Sequence, residues 1–222
     1  MSVNSFVPYP NMEEHYLQKV DYALSLLNDP SWELEKEDKD IVFYRRYAPN
    51  DSFAMIKSIV TIPDCSIDDI IEQLSVIEPI DSSTPSNKKH GIAERRVLHD
   101  QGKEGFCVFY IAMEPPGMMI SGRDFVLIRK MLQKDGKLLF INVSSEDDSV
   151  LPPNRTYVRG QMDFQGFIAE PDPANPKNIK LVFMAHANPK GSIPSMIYNS
   201  VVMNQGYAAK GVRSKILGKK SH

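Results

Sequence analysis

Between Ser192 and Gly218 nothing in the chain stops a helix, and from Ala93 to Ala187 the sequence reads as one strand after another. Ser192 caps the helix and Pro194 sits in its first turn, where a missing N–H is harmless. At 1.5 Å per residue, roughly 25 residues would span about 37 Å, longer than most globular helices. On a helical wheel Ile193, Met196, Ile197, Val202, Met203, Tyr207, Val212 and Ile216 cover far more than the usual core stripe. The polar arc is narrow: Ser195, Asn199, Gly206 and Arg213. Such a helix must bury its apolar side on a sheet. The fold class that follows is α+β, an antiparallel sheet curled around a C-terminal helix. Gly206 and Gly211 each cost about 1 kcal/mol relative to alanine, so they serve either bending or close packing.

The remaining elements fit that frame. Asn11 precedes an amphipathic helix from Met12 to Leu27, closed by Asn28-Asp29-Pro30. Strand-like runs follow at Trp32–Glu37, Ile41–Tyr47 and Phe53–Ile62. Ser66-Ile67-Asp68-Asp69 is a capping box opening a short helix to about Leu74, and Pro79–Lys89 is a polar loop. Six further strands are expected at Ala93–Asp100, Gly105–Met113, Arg123–Leu132, Leu138–Ser145, Tyr157–Glu170 and Ile179–Ala187. Lys134-Asp135-Gly136-Lys137 is a hairpin signal, and Pro171–Lys177 reads as a loop. The expected organisation is a tail over 1–11, one domain over 12–218 and a basic tail over 219–222.

Apolar residues make up 42% and charged residues 24%, which excludes wholesale disorder. The net charge of −2 is unevenly placed. No Asp or Glu follows Asp172, whereas Lys177, Lys180, Lys190, Lys210, Arg213, Lys215, Lys219 and Lys220 do. That stretch is +8, and the remainder, with 18 cations against 28 acids, is −10. Either the C-terminal part meets an anionic surface, or a solvated basic helix face balances an acidic body. Cys65 and Cys107 are too few for a disulfide scaffold and fit a reducing compartment. The longest apolar run, Val108–Met113, is too short to span a membrane, and no signal peptide is visible. The expected setting is cytoplasmic, and the sequons at Asn142 and Asn154 then carry no weight.

Catalytic signatures are missing: no nucleophile elbow, phosphate loop, dinucleotide fingerprint or metal-binding cysteine pairs. His15, His90, His99, His186 and His222 lack ligand spacing, so no metal or cofactor is expected. Ser192 and Ser195 near His186 are better read as helix-start residues than as a nucleophile with its base. The basic cluster lacks interleaved aromatics, which argues against nucleic acid. Two other features carry information. Pro115-Pro116-Gly117-Met118-Met119-Ile120 places three large apolar residues in a loop, either tucked inward or meant for an apolar partner. In the following strand Arg129 shares a face with Phe125, Leu127 and Met131. If that face is interior, Arg129 must find an anion, whether a carboxylate or a ligand phosphate; if it is solvent, Arg129 only snorkels.

Five segments in order resemble the START domain, the steroidogenic-acute-regulatory-related lipid transfer family. They are Trp32-Glu33-Leu34, Ile41–Arg46, Ser121–Arg129, Tyr157-Val158-Arg159-Gly160 and Asn188–Pro194, the last leading into the final helix with Asn199. The resemblance implies a helix-grip fold, a curved sheet wrapping the final helix around a tunnel for one lipid. It implies lipid binding or transfer without catalysis, with Met118, Met119 and Ile120 forming a lid together with the final helix. It places Phe125, Leu127, Met196, Ile197, Met203 and Tyr207 along tunnel and lid. It also implies that Arg129 faces the lipid head group, with Tyr110 or Glu114 as its partner. Lys210, Arg213 and Lys215 are expected to meet an anionic membrane, the lipid is expected to be a phospholipid, and the shuttle is expected to be a monomer.

Overall fold

Helix α1 (Met12–Leu26) buries Met12, Tyr16, Val20 and Ala23, a stripe recurring every three or four residues. This computed structural model describes residues 9–81 and 91–220, so most of the expected 79–89 loop, His90 and His222 lie outside the described residues. Asn11 precedes the helix at φ 63 without a side-chain cap bond, and Glu13 and Glu14 complement the positive end of the helix dipole. Three strands follow, β1 (Glu33–Asp38), β2 (Ile41–Arg46) and β3 (Met55–Ile62). Helix α2 (Ile67–Ser75) opens on the expected capping box: Asp69 N donates to Ser66 Oγ at 3.2 Å, and Ser66 N donates to the Asp69 carboxylate at 2.8 Å.

The second run of strands is β4 (Ile92–Asp100), β5 (Cys107–Met113), β6 (Arg123–Lys134), β7 (Lys137–Ser144), β8 (Val158–Arg159), β9 (Gln161–Asp172) and β10 (Asn175–Asn188). They form one sheet in the order β1-β2-β3-β10-β9-β7-β6-β5-β4, with β8 pairing parallel to β6 and the other pairs antiparallel. Asp135 and Gly136, both at positive φ, make the tight turn between β6 and β7. The expected loop at Pro171–Lys177 is mostly strand: β9 runs to Asp172 and β10 resumes at Asn175, leaving only two residues to turn. The run expected as Tyr157–Glu170 breaks at Gly160, where a Cβ would lie 2.4 Å from the Phe125 ring. Ile80 adds a bridge to Arg95 beside β4.

The single long helix is in fact two, α3 (Ser195–Gln205) and α4 (Tyr207–Lys220). Pro194, not Ser192, takes the cap position, and Gly218 does not stop α4, which continues to Lys220. The break falls at Gly206 because the helix there touches the sheet. A Cβ would stand 2.7 Å from Phe43 Cε1, and the Ser58 hydroxyl donates to Gly206 O at 2.7 Å. Close packing and bending thus meet at one residue. Gly211 has nothing within 4 Å of a Cβ. The two glycines therefore respond oppositely to alanine. Gly211→Ala is expected to gain about 0.5–1 kcal/mol from helix propensity. Gly206→Ala is expected to lose about 1 kcal/mol net, since overpacking against Phe43 costs about 1–3 kcal/mol. Urea unfolding midpoints check both.

The two faces of the curved sheet bury different partners. On the outer face α1 packs on Val126, Ile128, Leu139, Ile141, Phe164 and Met184. On the inner face Phe43, Ile56, Leu138, Phe140, Leu181 and Phe183 meet Tyr198, Val202, Ala209, Val212 and Ile216, the buried stripe of α3 and α4. A separate inner group, Phe109, Phe125, Leu127, Met162 and Ala187, lies toward β5 and β6.

Candidate functional site

A polar row crosses the inner face between its two apolar groups. Register places Cys107 of β5 opposite Arg129 of β6, Arg129 opposite Asn142 of β7, and Asn142 opposite Gln165 of β9. Asn142 Nδ2 donates to Gln165 Oε1 at 3.2 Å, and Gln165 Nε2 donates to Gln205 Oε1 at the end of α3 at 3.0 Å. Asn142 Oδ1 is buried and lacks a hydrogen-bond partner among the described residues. The Arg129 face is interior, since Phe125 and Leu127 are 7% and 1% exposed. The guanidinium donates to Ser75 O at 3.1 Å and lies 5.5 Å from the Phe140 ring centroid. Ser75 ends α2, so Arg129 satisfies a C-terminal carbonyl at the negative end of a helix dipole. Burial pushes its pKa below the usual value. No carboxylate reaches it within ion-pair distance among the described residues. Burial also pushes the Cys107 thiol up to about 11, which keeps it protonated.

The structure does not bring Tyr110 or Glu114 to Arg129. Tyr110 pairs with Val126 and belongs to the α1 face, opposite to Arg129, with the Arg96 guanidinium 5.2 Å from its ring. Glu114 is exposed just beyond β5, whereas Arg129 pairs with Cys107 at that strand's other end, about 20 Å away along the strand. Period-two alternation separates i and i+1 onto opposite faces, and that rule assigns Cys107, not Tyr110, to the Arg129 side.

Of the expected tunnel and lid residues, Phe125 and Leu127 sit together on the inner face. Met203 packs against the larger inner group and Ile197 is half-buried. Tyr207 packs its ring edge-on at 4.8 Å against Phe43 of the inner face, while its hydroxyl meets Lys36 and Asp38 of the β1–β2 hairpin. Met196, Met118 and Met119 are 78%, 94% and 103% exposed, so none of the three is tucked inward. Met119 also holds φ 71, a left-handed conformation uncommon outside glycine. Ile120 is half-buried. Two surface hollows, of about 370 and 220 Å³, lie against α1 and between α2 and α4 and not on the inner face.

Arg123 ties the methionine loop to the turn before α3. Nearly buried, its guanidinium donates to Ser121 O, to Pro189 O at 3.1 Å and to Lys190 O at 2.9 Å. Gly191, at φ 59, lets the turn pass beside Val158 and Arg123. Asn199 fastens α3 from the other side. Its Oδ1 accepts from Ala54 N at 2.8 Å, and its Nδ2 donates to Ser52 O at 3.1 Å.

Much of the basic C-terminal face is paired with the body. Arg213 reaches Asp40 at 3.3 Å and Thr61 O at 3.0 Å, Lys215 reaches Glu78 at 3.6 Å, and Lys219 reaches Glu72 at 2.9 Å. Lys210 lies close enough to Asp38 to help lower that carboxyl, after the larger effect of Lys36.

His186 is held from both sides, Nε2 by Asp51 at 3.1 Å and Nδ1 by Asp163 at 3.0 Å, with Lys19 of α1 on Asp163 as well. It sits on the outer face against Phe164. Burial would raise Asp163, but the close approach of His186 and Lys19 outweighs that and holds it down at about 2. A depressed carboxylate stabilises the fold above its unfolded pKa near 3.8 and loses that contribution as pH falls through its folded value near 2. Discounted for partial exposure, Asp163→Asn is expected to cost about 1–2 kcal/mol at pH 7. Urea unfolding of the two proteins should converge between pH 4 and 2.

Comparisons with known proteins agree with this architecture. The chain is 23% identical over 218 residues to the mitochondrial steroidogenic acute regulatory protein of Gallus gallus, covering 94% of this chain and 74% of that protein. It is 22% identical over 200 residues to the Homo sapiens protein of that name, covering 87% and 68%. Human StAR-related lipid transfer protein 5 superposes with a TM-score of 0.70 at 18% identity, covering 95% of this chain and 98% of the other. Human STARD10 gives 0.66 at 17%, covering 96% and 82%. The START domain profile matches residues 92–214, the stretch from β4 through the row of Arg129, Asn142 and Gln165 into α4. With more than half its length matched and its sheet and final helices arranged as in these structures, the chain belongs to the START domain family.

Proposed function

We propose that the chain, over 12–218, binds one membrane lipid, a phospholipid in preference, between the inner sheet face and α3, and carries it between membranes as a monomer without catalysis. The observation that carries this reading is the exposed pair Met118 and Met119, on a loop that Arg123 latches to the turn before α3. An apolar loop facing water beside the element covering the inner face suits a lid that opens on contact with a bilayer. Withdrawing acyl chains from water contributes about 0.8 kcal/mol per methylene. Lys210, Arg213 and Lys215 add attraction to anionic lipid, up to about 1 kcal/mol per charge near the surface. The name of one human structural relative includes the words lipid transfer, which fits. The proposed setting is the cytoplasm with transient membrane contact.

Mass spectrometry of lipid extracted from purified protein tests occupancy, and one stoichiometric phospholipid is the expected result. An empty protein that takes nothing from vesicles would sink the reading. Exchanging Met118 and Met119 together for Asp is expected to slow vesicle-to-vesicle transfer about ten- to a hundredfold, the equivalent of one fully buried Met side chain at about 1.5–3 kcal/mol, because the loop pair inserts only part way into the bilayer. Its thermal unfolding should be unchanged because both side chains already face solvent. A second reading, a lipid sensor that signals to a partner, is favoured by the pairing of Arg213 with Asp40 and of Lys215 with Glu78, which leaves less charge for a membrane. A complex that holds lipid but never exchanges it with vesicles would select the sensor.

A further inference from the structure

Sulfur is divided sharply between the core of this chain and its lid. Of the eleven methionines, Met1 lies outside the described residues. Met12, Met55, Met162 and Met184 are at most 5% exposed, and Met113, Met131 and Met203 are half-buried. Among the described methionines only Met118, Met119 and Met196 stand in water, the first two almost completely. All three flank one latch. Met118 and Met119 ride the loop that Arg123 ties to the turn at Pro189 and Lys190, and Met196 is in the first turn of the helix that follows. The cysteines offer no competing target. Cys65 is buried, and Cys107 is half-buried with its thiol held protonated by burial, whereas oxidants attack the thiolate. A thioether has no proton to lose before it reacts, so exposure decides which sulfur is reached.

We infer that Met118, Met119 and Met196 form an oxidation-controlled membrane contact, at which a hydroperoxide converts the three thioethers to sulfoxides and so keeps the lid out of the bilayer. This rests on the lid reading and adds its regulation. In the step, the thioether sulfur attacks the outer peroxide oxygen, and the S–O bond forms as the O–O bond breaks. The proton on that outer oxygen passes to the departing oxygen. Sulfur gives up two electrons and the peroxide takes them, so each hydroperoxide becomes one alcohol, or water where the oxidant is hydrogen peroxide. The side chain is now polar where it was apolar, and the loop gives up the gain that carries it among acyl chains. Because the core methionines are covered, the fold persists and the change reverses: methionine sulfoxide reductases remove the oxygen at the expense of a thiol. Two sources carry the same O–O bond, free hydrogen peroxide and the hydroperoxide of an oxidised acyl chain, and the second meets the lid inside the membrane.

The test exposes the purified full chain to dilute hydrogen peroxide in one arm and to vesicles containing hydroperoxidised phosphatidylcholine in the other. Peptide mapping by mass spectrometry is expected to find one added oxygen on Met118, Met119 and Met196 before any other methionine. The arm that adds it faster identifies the source. Vesicle-to-vesicle transfer by the oxidised chain should fall about tenfold at an unchanged urea midpoint. It should recover with dithiothreitol and both methionine sulfoxide reductases, one for each sulfoxide epimer. In a triple variant, Met118→Leu with Met119→Leu and Met196→Leu, the ratio of transfer after peroxide to transfer before it should stay level. That ratio is read within one protein, so any effect of leucine on the starting rate cancels. Oxygen arriving on none of the three, or first on a covered methionine or Cys107, overturns the switch. So does transfer that holds while the three are oxidised, or a loss that persists in the triple variant. Each of these leaves the lid reading standing, which the aspartate exchange tests separately. A chain that moves no lipid before treatment overturns the lid reading, and the switch falls with it.

Discussion

With Asp124 replaced by asparagine, the protein is expected to lose about 3–5 kcal/mol of stability, the cost of removing one partner from a buried ion pair. Asp124 is fully buried at the start of β6 and grips Arg159 of β8 with both oxygens, at 3.0 and 3.1 Å. Asparagine preserves the shape and cancels the charge, so the Arg159 guanidinium is left with Leu151 O and the exposed Asp148. Total stability of a domain this size is about 5–15 kcal/mol, so the variant should sit near the folding threshold at 37 °C. The damage has a direction. β8 pairs in parallel with Arg123 and Asp124, and its Val158 touches Gly191 in the turn before α3. Losing the pair therefore loosens the segment that Arg123 latches. Urea unfolding measures the cost, and a double variant with Asp124→Leu and Arg159→Leu should lose less than the sum of the single changes. A cost under 1 kcal/mol for Asp124→Asn would show that water reaches the pair.

What the sequence disclosed about the fold was mostly local and periodic. The Ser66 capping box, the Asp135-Gly136 turn and the alternating strands need only neighbours a few residues away, and each forms where its spacing predicts. The division of the last helix was harder to see. Gly206 looks like any helix glycine until Phe43, far away in the chain, is found against it. The site was half legible. Arg129 announces itself as a charge in phase with Phe125 and Leu127, but its neighbour depends on strand register, which no single strand encodes. Tyr110, which the resemblance offers as a partner, lies on the opposite face, whereas Asn142 reads in sequence only as an idle sequon. A usable signal was present. In Leu138-x-Phe140-x-Asn142 and Gln165-x-Phe167-x-Ala169 a polar residue occupies the apolar phase of an interior strand. The ion pairs of the basic helix end were hidden for a similar reason, because Asp40, Glu72 and Glu78, which face its cations, are distant in sequence.

Arg129→Leu should nearly abolish loading of an anionic phospholipid while leaving the fold close to intact. Three contributions decide the balance in the empty protein. Leucine covers the Phe140 ring as the arginine stem does. The bond to Ser75 O is lost, and a hydrogen bond from a charged group is worth about 1.5–3 kcal/mol. Against that, a partly buried cation without a carboxylate partner is removed, and relief of its desolvation offsets a similar amount. The net change in unfolding free energy is therefore expected within about 1 kcal/mol. Loading has no such compensation. A phosphate facing leucine away from water loses about 2–5 kcal/mol, a drop of some thirty- to several-thousandfold. Arg129→Lys should fall between, since it keeps the charge and gives up the fork. Uptake from phosphatidylglycerol vesicles, measured beside urea unfolding of the same samples, separates the alternatives. Intact uptake with a lowered unfolding midpoint would make Arg129 a cap for the last carbonyl of α2 and nothing more. Lost uptake with an unchanged midpoint would place the lipid head group between α2 and the polar row, at the only point on that row where a cation waits without a carboxylate among the described residues.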